Sequence, residues 1–197
     1  MKRLSFLVVV IFAVAAFVSF KNVSAEEGLA IGATMENFKL NDTSGAQKSF
    51  DDLKGKNGAV LVFLSVQCPV VKSYDERIVK LAEDYAAKGI NVIGINSNAT
   101  ETSEKVKAHA AENYKFPVLV DKGNVIADRL GANVTPEIFY LNEKNVLVYH
   151  GAIDNSRNGE SITENFLRDA VDSNLSGKAV AKSSANAFGC SIKRAKN

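Results

Sequence analysis

Residues 63–78 read FLSVQCPVVKSYDERI, an apolar run that ends on Cys68-Pro69 and opens a helix. The run begins earlier: Ala59 to Val66 is near-continuous apolar and rich in β-branched residues, the pattern of a strand buried on both faces. Pro69 suits the first helical position, where its missing N–H costs nothing. Beyond it Val71, Tyr74, Ile78, Leu81 and Tyr85 recur at three- and four-residue spacing, predicting an amphipathic helix stopped by Lys88-Gly89. Ile90 to Asn96 reads as a second buried strand. Strand, helix and strand make a βαβ unit, parallel with a right-handed crossover. Cys68 stands at its helix start, where unpaired N–H groups and the positive end of the helix dipole favour thiolate. Lys72, one turn on, adds positive charge. The competing reading is a small buried hydrophobe, a common fate of free cysteine.

Working outward, the pattern predicts a helix over Ser103–Asn113, a short strand at Pro117–Val120 and a helical turn or two around Val125–Leu130. Two strands, Glu137–Leu141 and Val146–His150, flank a polar loop and read as an antiparallel hairpin. Ile162, Phe166, Ala170 and Val171 mark a last amphipathic helix ending at Gly177. Toward the front, Phe38-Lys39-Leu40 reads as a short strand and Asn41 to Gly45 as turn chemistry. Asp154 to Arg157 reads as a surface turn. After Gly177 the chain is mostly Ala, Ser and Lys, so residues 178–197 are expected to form a flexible tail. That tail carries Cys190, and the 15 residues from Leu175 to it extend to about 50 Å. Reach therefore permits Cys190 to meet Cys68.

The first 25 residues form a separate unit. Lys2 and Arg3 precede an apolar stretch from Leu4 to Phe20, and Val23-Ser24-Ala25 supplies a small-residue cleavage site. The stretch is short for a membrane span, so export with cleavage is expected rather than an uncleaved anchor. The mature domain then covers residues 26–177, followed by the tail, in a periplasmic or secreted setting with membrane contact only through the export signal. Cleavage removes three positive charges (Lys2, Arg3, Lys21) and no acid, taking the formal charge from +2 to −1. No basic stripe with interleaved aromatics remains, which argues against nucleic acid. Lys193 to Lys196 reads as a solvated terminus. His109 and His150 have no partner at metal-ligand spacing, so neither metal nor organic cofactor is expected. Both cysteines are in the mature part, where an oxidising compartment permits a disulfide. A chain this long buries a substantial core without a staple, which shifts weight toward chemistry.

The order of elements, with Cys68-Pro69 at a helix start and Val134-Thr135-Pro136 before a strand, resembles the thioredoxin fold. More narrowly the chain resembles the peroxiredoxin-like branch of the redoxin (AhpC/TSA-type) proteins. Three patches carry the likeness: Cys68 to Val71, Gly94 to Asn98, and Thr135 to Glu137 through Tyr149 to Asp154. Gly189 to Lys193 (GCSIK) looks like that branch's C-terminal signature. The resemblance implies an α/β fold with a central mixed sheet flanked by helices. It further implies a cis Thr135–Pro136 bond facing Cys68, with Pro69, Thr135 and Pro136 on the substrate side. Ser65 replaces the first cysteine of the CxxC pair found in many relatives, so a vicinal disulfide is impossible. It fits instead the hydroxyl that helps peroxiredoxins orient a peroxide. Two departures stand against that: Leu61 occupies the place of an expected proline, and the strand Glu137–Leu141 lacks an arginine.

The resemblance implies a thiol redox protein, with Cys68 attacking a peroxide or a protein disulfide and Cys190, or an external thiol donor, resolving the product. The alternative is a redox-inactive binding module in which Cys68 and Cys190 form only a structural disulfide.

Overall fold

The computed structural model of the protein describes residues 28–196. The expected signal peptide, residues 1–25, lies outside the described residues. Among those described, no helix is long and apolar enough to cross a membrane.

The elements run β1 (Lys39–Asp42), β2 (Gln47–Ser49), α1 (Phe50–Leu53), β3 (Gly58–Leu64), α2 (Pro69–Ala86), β4 (Ile90–Asn96) and α3 (Ser103–Asn113). They continue with β5 (Val118–Val120), α4 (Val125–Leu130), β6 (Val134–Thr135), β7 (Glu137–Asn142), β8 (Leu147–Gly151), α5 (Phe166–Leu175), β9 (Ser184–Ala185) and β10 (Cys190–Ser191). Eight strands form one mixed sheet in the order β2-β1-β5-β4-β3-β7-β8-β9, with β3, β4 and β5 mutually parallel and β7 antiparallel to β3.

The apolar run of β3 explains its central place, because every residue in it is buried. Period-two alternation sends Val60, Val62 and Leu64 to one face and Ala59, Leu61 and Phe63 to the other. On the first face they meet Val71, Tyr74, Ile78, Leu81 and Tyr85 of α2, with Leu167, Ala170 and Val171 of α5. On the second they meet Phe50 of α1 and Ile126, Ala127 and Leu130 of α4. The sheet thus has helices on both sides, and its two cores hold it between them. Each large side chain so buried contributes roughly 1.5–3 kcal/mol.

Several sequence expectations need correction. The Ala/Ser/Lys tail is laid on the body as defined structure. β9 pairs parallel with β8, matching His150 to Ser184 and Gly151 to Ala185. β10 pairs antiparallel with β6. The physical reason is that main-chain hydrogen bonds carry these contacts, for example His150 N–H to the Ser183 carbonyl at 3.1 Å. Small side chains permit the approach: a Cβ on Gly151 would lie 1.8 Å from the Ala185 carbonyl oxygen.

The segment read as a surface turn also differs, since Asp154 and Ser156 are buried. The Arg77 guanidinium donates to the Asp154 carboxylate at 2.6 Å and lies 3.5 Å over the Tyr74 ring. This fixes the loop after β8 on the outer turns of α2. The last helix accordingly starts at Phe166 rather than at Ile162, because Asn155 holds the intervening residues through the N–H groups of Thr163 and Glu164.

Candidate functional site

β3 delivers the chain to a turn, Ser65 to Gln67, and Cys68 closes it as the residue capping α2. Cys68 is extended, Pro69 follows at the helix start, and the Lys72 N–H donates to the Cys68 carbonyl at 3.3 Å. The side chain is 1 % exposed. Its thiol donates to the Thr135 carbonyl at 3.1 Å, and the Thr135–Pro136 bond is cis. The structure thus places Cys68 against Thr135 and the cis Pro136. Pro69 sits exposed at the rim.

The tail completes the site. Cys190 lies opposite Thr135 in the β10–β6 register, which sets its thiol close enough to that of Cys68 for each to act on the other's ionisation. Both cysteines are free. Burial works against ionisation of Cys68 and is the largest single influence on it. The Cys190 thiol, the Val71 N–H, the Thr135 hydroxyl and the Cys190 N–H together outweigh it, holding Cys68 below an ordinary thiol. Cys190 moves the other way, pushed up by burial and then by the neighbouring Cys68 sulfur. The pair is polarised: one sulfur is disposed to be thiolate, the other to stay a thiol. Lys72 is exposed, and its charge acts on Asp75.

This polarisation gives a measurable expectation. Replacing Cys190 with alanine removes the largest of the influences that lower Cys68, so the midpoint of Cys68 ionisation should rise. Ultraviolet thiolate absorbance against pH measures it, and an unchanged or lower midpoint would contradict the pairing.

The Ser65 side chain bonds to an acid rather than to the thiol. Its hydroxyl donates to Glu101 at 2.6 Å, in the loop between β4 and α3. The same carboxylate accepts from the Val66 N–H at 3.1 Å, the Gln67 N–H at 3.0 Å and the Asn96 amide at 2.6 Å. Glu101 thereby fixes the turn that presents Cys68. Glu137 does the same across the site, accepting from the N–H groups of Asn133 at 2.8 Å and Val134 at 3.1 Å, just before Thr135. Sequence reading missed both acids. Glu101 is 36 residues from Ser65 and belongs to no spaced motif. Glu137 stands in the sequence as the first residue of a strand and the last of the Thr135–Glu137 patch, with nothing there to announce its N–H partners.

Beyond Cys190 the tail is tied to several loops. Ile192 N–H donates to the Asn133 carbonyl at 2.9 Å and Lys193 N–H to Asn98 at 2.7 Å. Ala195 N–H donates to Asn124 at 2.8 Å. Arg194 pairs with Asp128 at 3.0 Å, which replaces the expected solvated terminus at that residue. Phe188 leans on Tyr74 with ring centroids 6.2 Å apart, while Arg157 covers its other side.

His109 contacts Asn113 and Tyr114, and His150 stacks on Phe139. Among the described residues no three His, Cys, Asp or Glu side chains are grouped to hold a metal.

The AhpC/TSA family model matches residues 31–150. The chain belongs to the AhpC/TSA family. The family segment contains Cys68, Glu101 and cis Pro136 but ends before β9 and β10, so Cys190 lies outside it. The chain is 29 % identical over 171 residues to the thiol-disulfide oxidoreductase ResA of Halalkalibacterium halodurans, covering 84 % of this chain and 91 % of that one. The crystal structure of a hypothetical protein from Sinorhizobium meliloti 1021 is 34 % identical, with a TM-score of 0.78, over 87 % of this chain and 98 % of that one. A peroxidoxin of Mycobacterium tuberculosis, 18 % identical with a TM-score of 0.60 over 76 % of this chain and 97 % of its own, shares the fold. That fold is the thioredoxin fold, with its central mixed sheet flanked by helices.

Proposed function

We propose that this protein is an exported thiol–disulfide oxidoreductase that cycles between a dithiol and a Cys68–Cys190 disulfide. The observation that carries the reading is the geometry that brings Cys190 of β10 opposite Thr135, whose carbonyl accepts from Cys68, so that a thiol disposed to ionise and one disposed to stay protonated meet beside the cis Pro136. The thiol-disulfide oxidoreductases among its relatives support the same chemistry.

The steps derive from the pair. Cys68 thiolate attacks one sulfur of a substrate disulfide, forming a mixed disulfide and expelling the other sulfur as thiolate, which takes a proton from water. Cys68 now carries no charge, and the influences of its sulfur that hold Cys190 up are gone. Cys190 then loses its proton more easily and attacks Cys68, closing the intramolecular bridge and releasing the substrate's second thiol. Oxidation of the first cysteine arms the second. An external dithiol donor restores the starting state. A peroxide reaches the same bridge through a sulfenic acid and release of water. Disulfide is the better-supported oxidant, because the Ser65 hydroxyl suited to orienting a peroxide is donated to Glu101.

Non-reducing peptide mapping tests this. After one equivalent of oxidised glutathione, the monomer should contain a Cys68–Cys190 linkage that a glutathione excess reopens. Two free cysteines would refute the cycle. A bridge that survives strong reductant would favour the purely structural disulfide of a binding module.

The setting is part of the proposal: a signal peptide ending at Ala25, a mature domain to Gly177 and the redox tail beyond it. Intact mass of exported material should begin at Glu26. Retention of Met1 to Ala25 in a membrane fraction would overturn it.

A further inference from the structure

We propose that the groove beside Pro136 reads cysteine-containing segments of protein substrates in which glycine precedes the cysteine and an aliphatic residue follows two places on. The chain's own tail is then a tethered competitor for that groove. This rests on the redox reading above and names its substrate class.

The tail itself displays the requirements. β10 completes the edge of β6 as an added antiparallel strand, the way an extended peptide docks on a sheet edge. Gly189 crosses the Thr135 carbonyl so closely that a Cβ would lie 2.0 Å from its oxygen. Any residue with a side chain must shift the strand there. Cys190 then falls beside Cys68. Ser191 is exposed and unselective, whereas Ile192 is 7 % exposed and packs into the core on the α4 side. Two positions of the strand are thus constrained by fit, and the cysteine between them by chemistry.

An occupied groove is a closed one. With the tail docked, Cys68 is 1 % exposed, so a protein disulfide reaches it only after residues 189–192 lift away. In that exchange Cys68, its thiolate still favoured by the Val71 N–H and the Thr135 hydroxyl, attacks the substrate cysteine held in the place of Cys190. The bond between the two substrate sulfurs breaks, and the outer sulfur leaves as thiolate. The returning tail brings Cys190 to attack the Cys68 sulfur and expels the substrate strand, so resolution and release are one event.

The test uses the full mature chain carrying Cys190→Ser, so that only Cys68 reports. Probes are a peptide copying Ala187 to Lys193 with thionitrobenzoate on its cysteine, and the same peptide with Gly189→Ala or Ile192→Ser. Attack by Cys68 joins it to the peptide and releases the coloured thiolate. The copied peptide should react about tenfold or more faster than either altered one, the size expected when a buried aliphatic anchor or a close fit is lost. Adding Gly189→Ala or Ile192→Ser to the protein's own tail should speed the copied peptide several-fold by loosening the competitor. Equal rates for the three peptides, or no gain on loosening the tail, would overturn the proposal. The symmetric disulfide of thionitrobenzoate, which carries no peptide, separates the two levels. If Cys68 reacts with it yet ignores peptide sequence, only the groove's selectivity falls. If Cys68 does not react with it at all, the redox reading falls too.

Discussion

Cys68→Ser is expected to consume no disulfide beyond background in a single-turnover mix, whereas Cys190→Ser should complete its first attack and then stall. The asymmetry arises from the polarised pair. Cys68 is the sulfur favoured as thiolate, and serine at that position offers no comparable nucleophile at neutral pH. In the proposed cycle Cys190 acts only in the second step. A tethered thiol works at an effective concentration in the millimolar range, so replacing it by micromolar external thiol should slow resolution by about a hundredfold or more. Rapid mixing with acid quench and mass analysis separates the steps, since the stalled species is a stable mixed disulfide on Cys68. Equal first-step rates for Cys68→Ser and wild type would overturn the assignment. So would a Cys190→Ser chain that turns over at the wild-type rate.

The second large effect is expected at a residue that touches neither sulfur. Glu101→Ala strips the acceptor from the Ser65 hydroxyl, the Asn96 amide and two backbone N–H groups of the turn before Cys68. Each partly buried donor left unpaired costs about 1–3 kcal/mol, and water recovers some of it, so about 3 kcal/mol of stability should be lost. Urea unfolding would read this as a lower midpoint at unchanged slope. The same variant should slow the first attack, because the turn that aims the thiol has lost its brace. Ser65→Ala is the informative comparison. It removes one of those bonds and leaves the carboxylate in place, so its stability loss should be about 1 kcal/mol with little change in rate. A Glu101→Ala chain as stable and as fast as wild type would show that the brace is dispensable.

Much of the frame was legible in the sequence because it is written in side-chain periodicity. The two-sided apolar run of β3, the helical spacing from Val71 to Tyr85 and the run of β4 each state which faces must be covered. Cys68-Pro69 and Thr135-Pro136 then mark where those elements end. What escaped reading is held by the main chain or by single polar groups. β9 and β10 have two residues each, small or polar in all but Cys190, and their pairing leaves no periodic trace. Asp154 looked like turn chemistry because nothing near it in sequence announces Arg77, an ion-pair partner 77 residues away. Glu101 likewise reads as one acid among many until the turn it caps is seen beside it. Local patterns report burial well, and distant polar partnerships poorly.

The docked tail also changes how the molecule bears tension. Reduced, the strand that carries Cys190 clings to β6 by a short ladder, which a pull on the C-terminus opens one rung at a time. In the proposed oxidised state, the link between Cys68 and Cys190 turns residues 68–190 into a covalent ring that takes in α2, β4, β5, β7, β8 and the final helix. Load applied at the two ends then bypasses everything inside the ring and draws out only the segments before Cys68 and after Cys190. The same chain peels from its C-terminal end in the reduced state, and in the proposed oxidised one keeps residues 68–190 as a closed loop that end-to-end load does not lengthen.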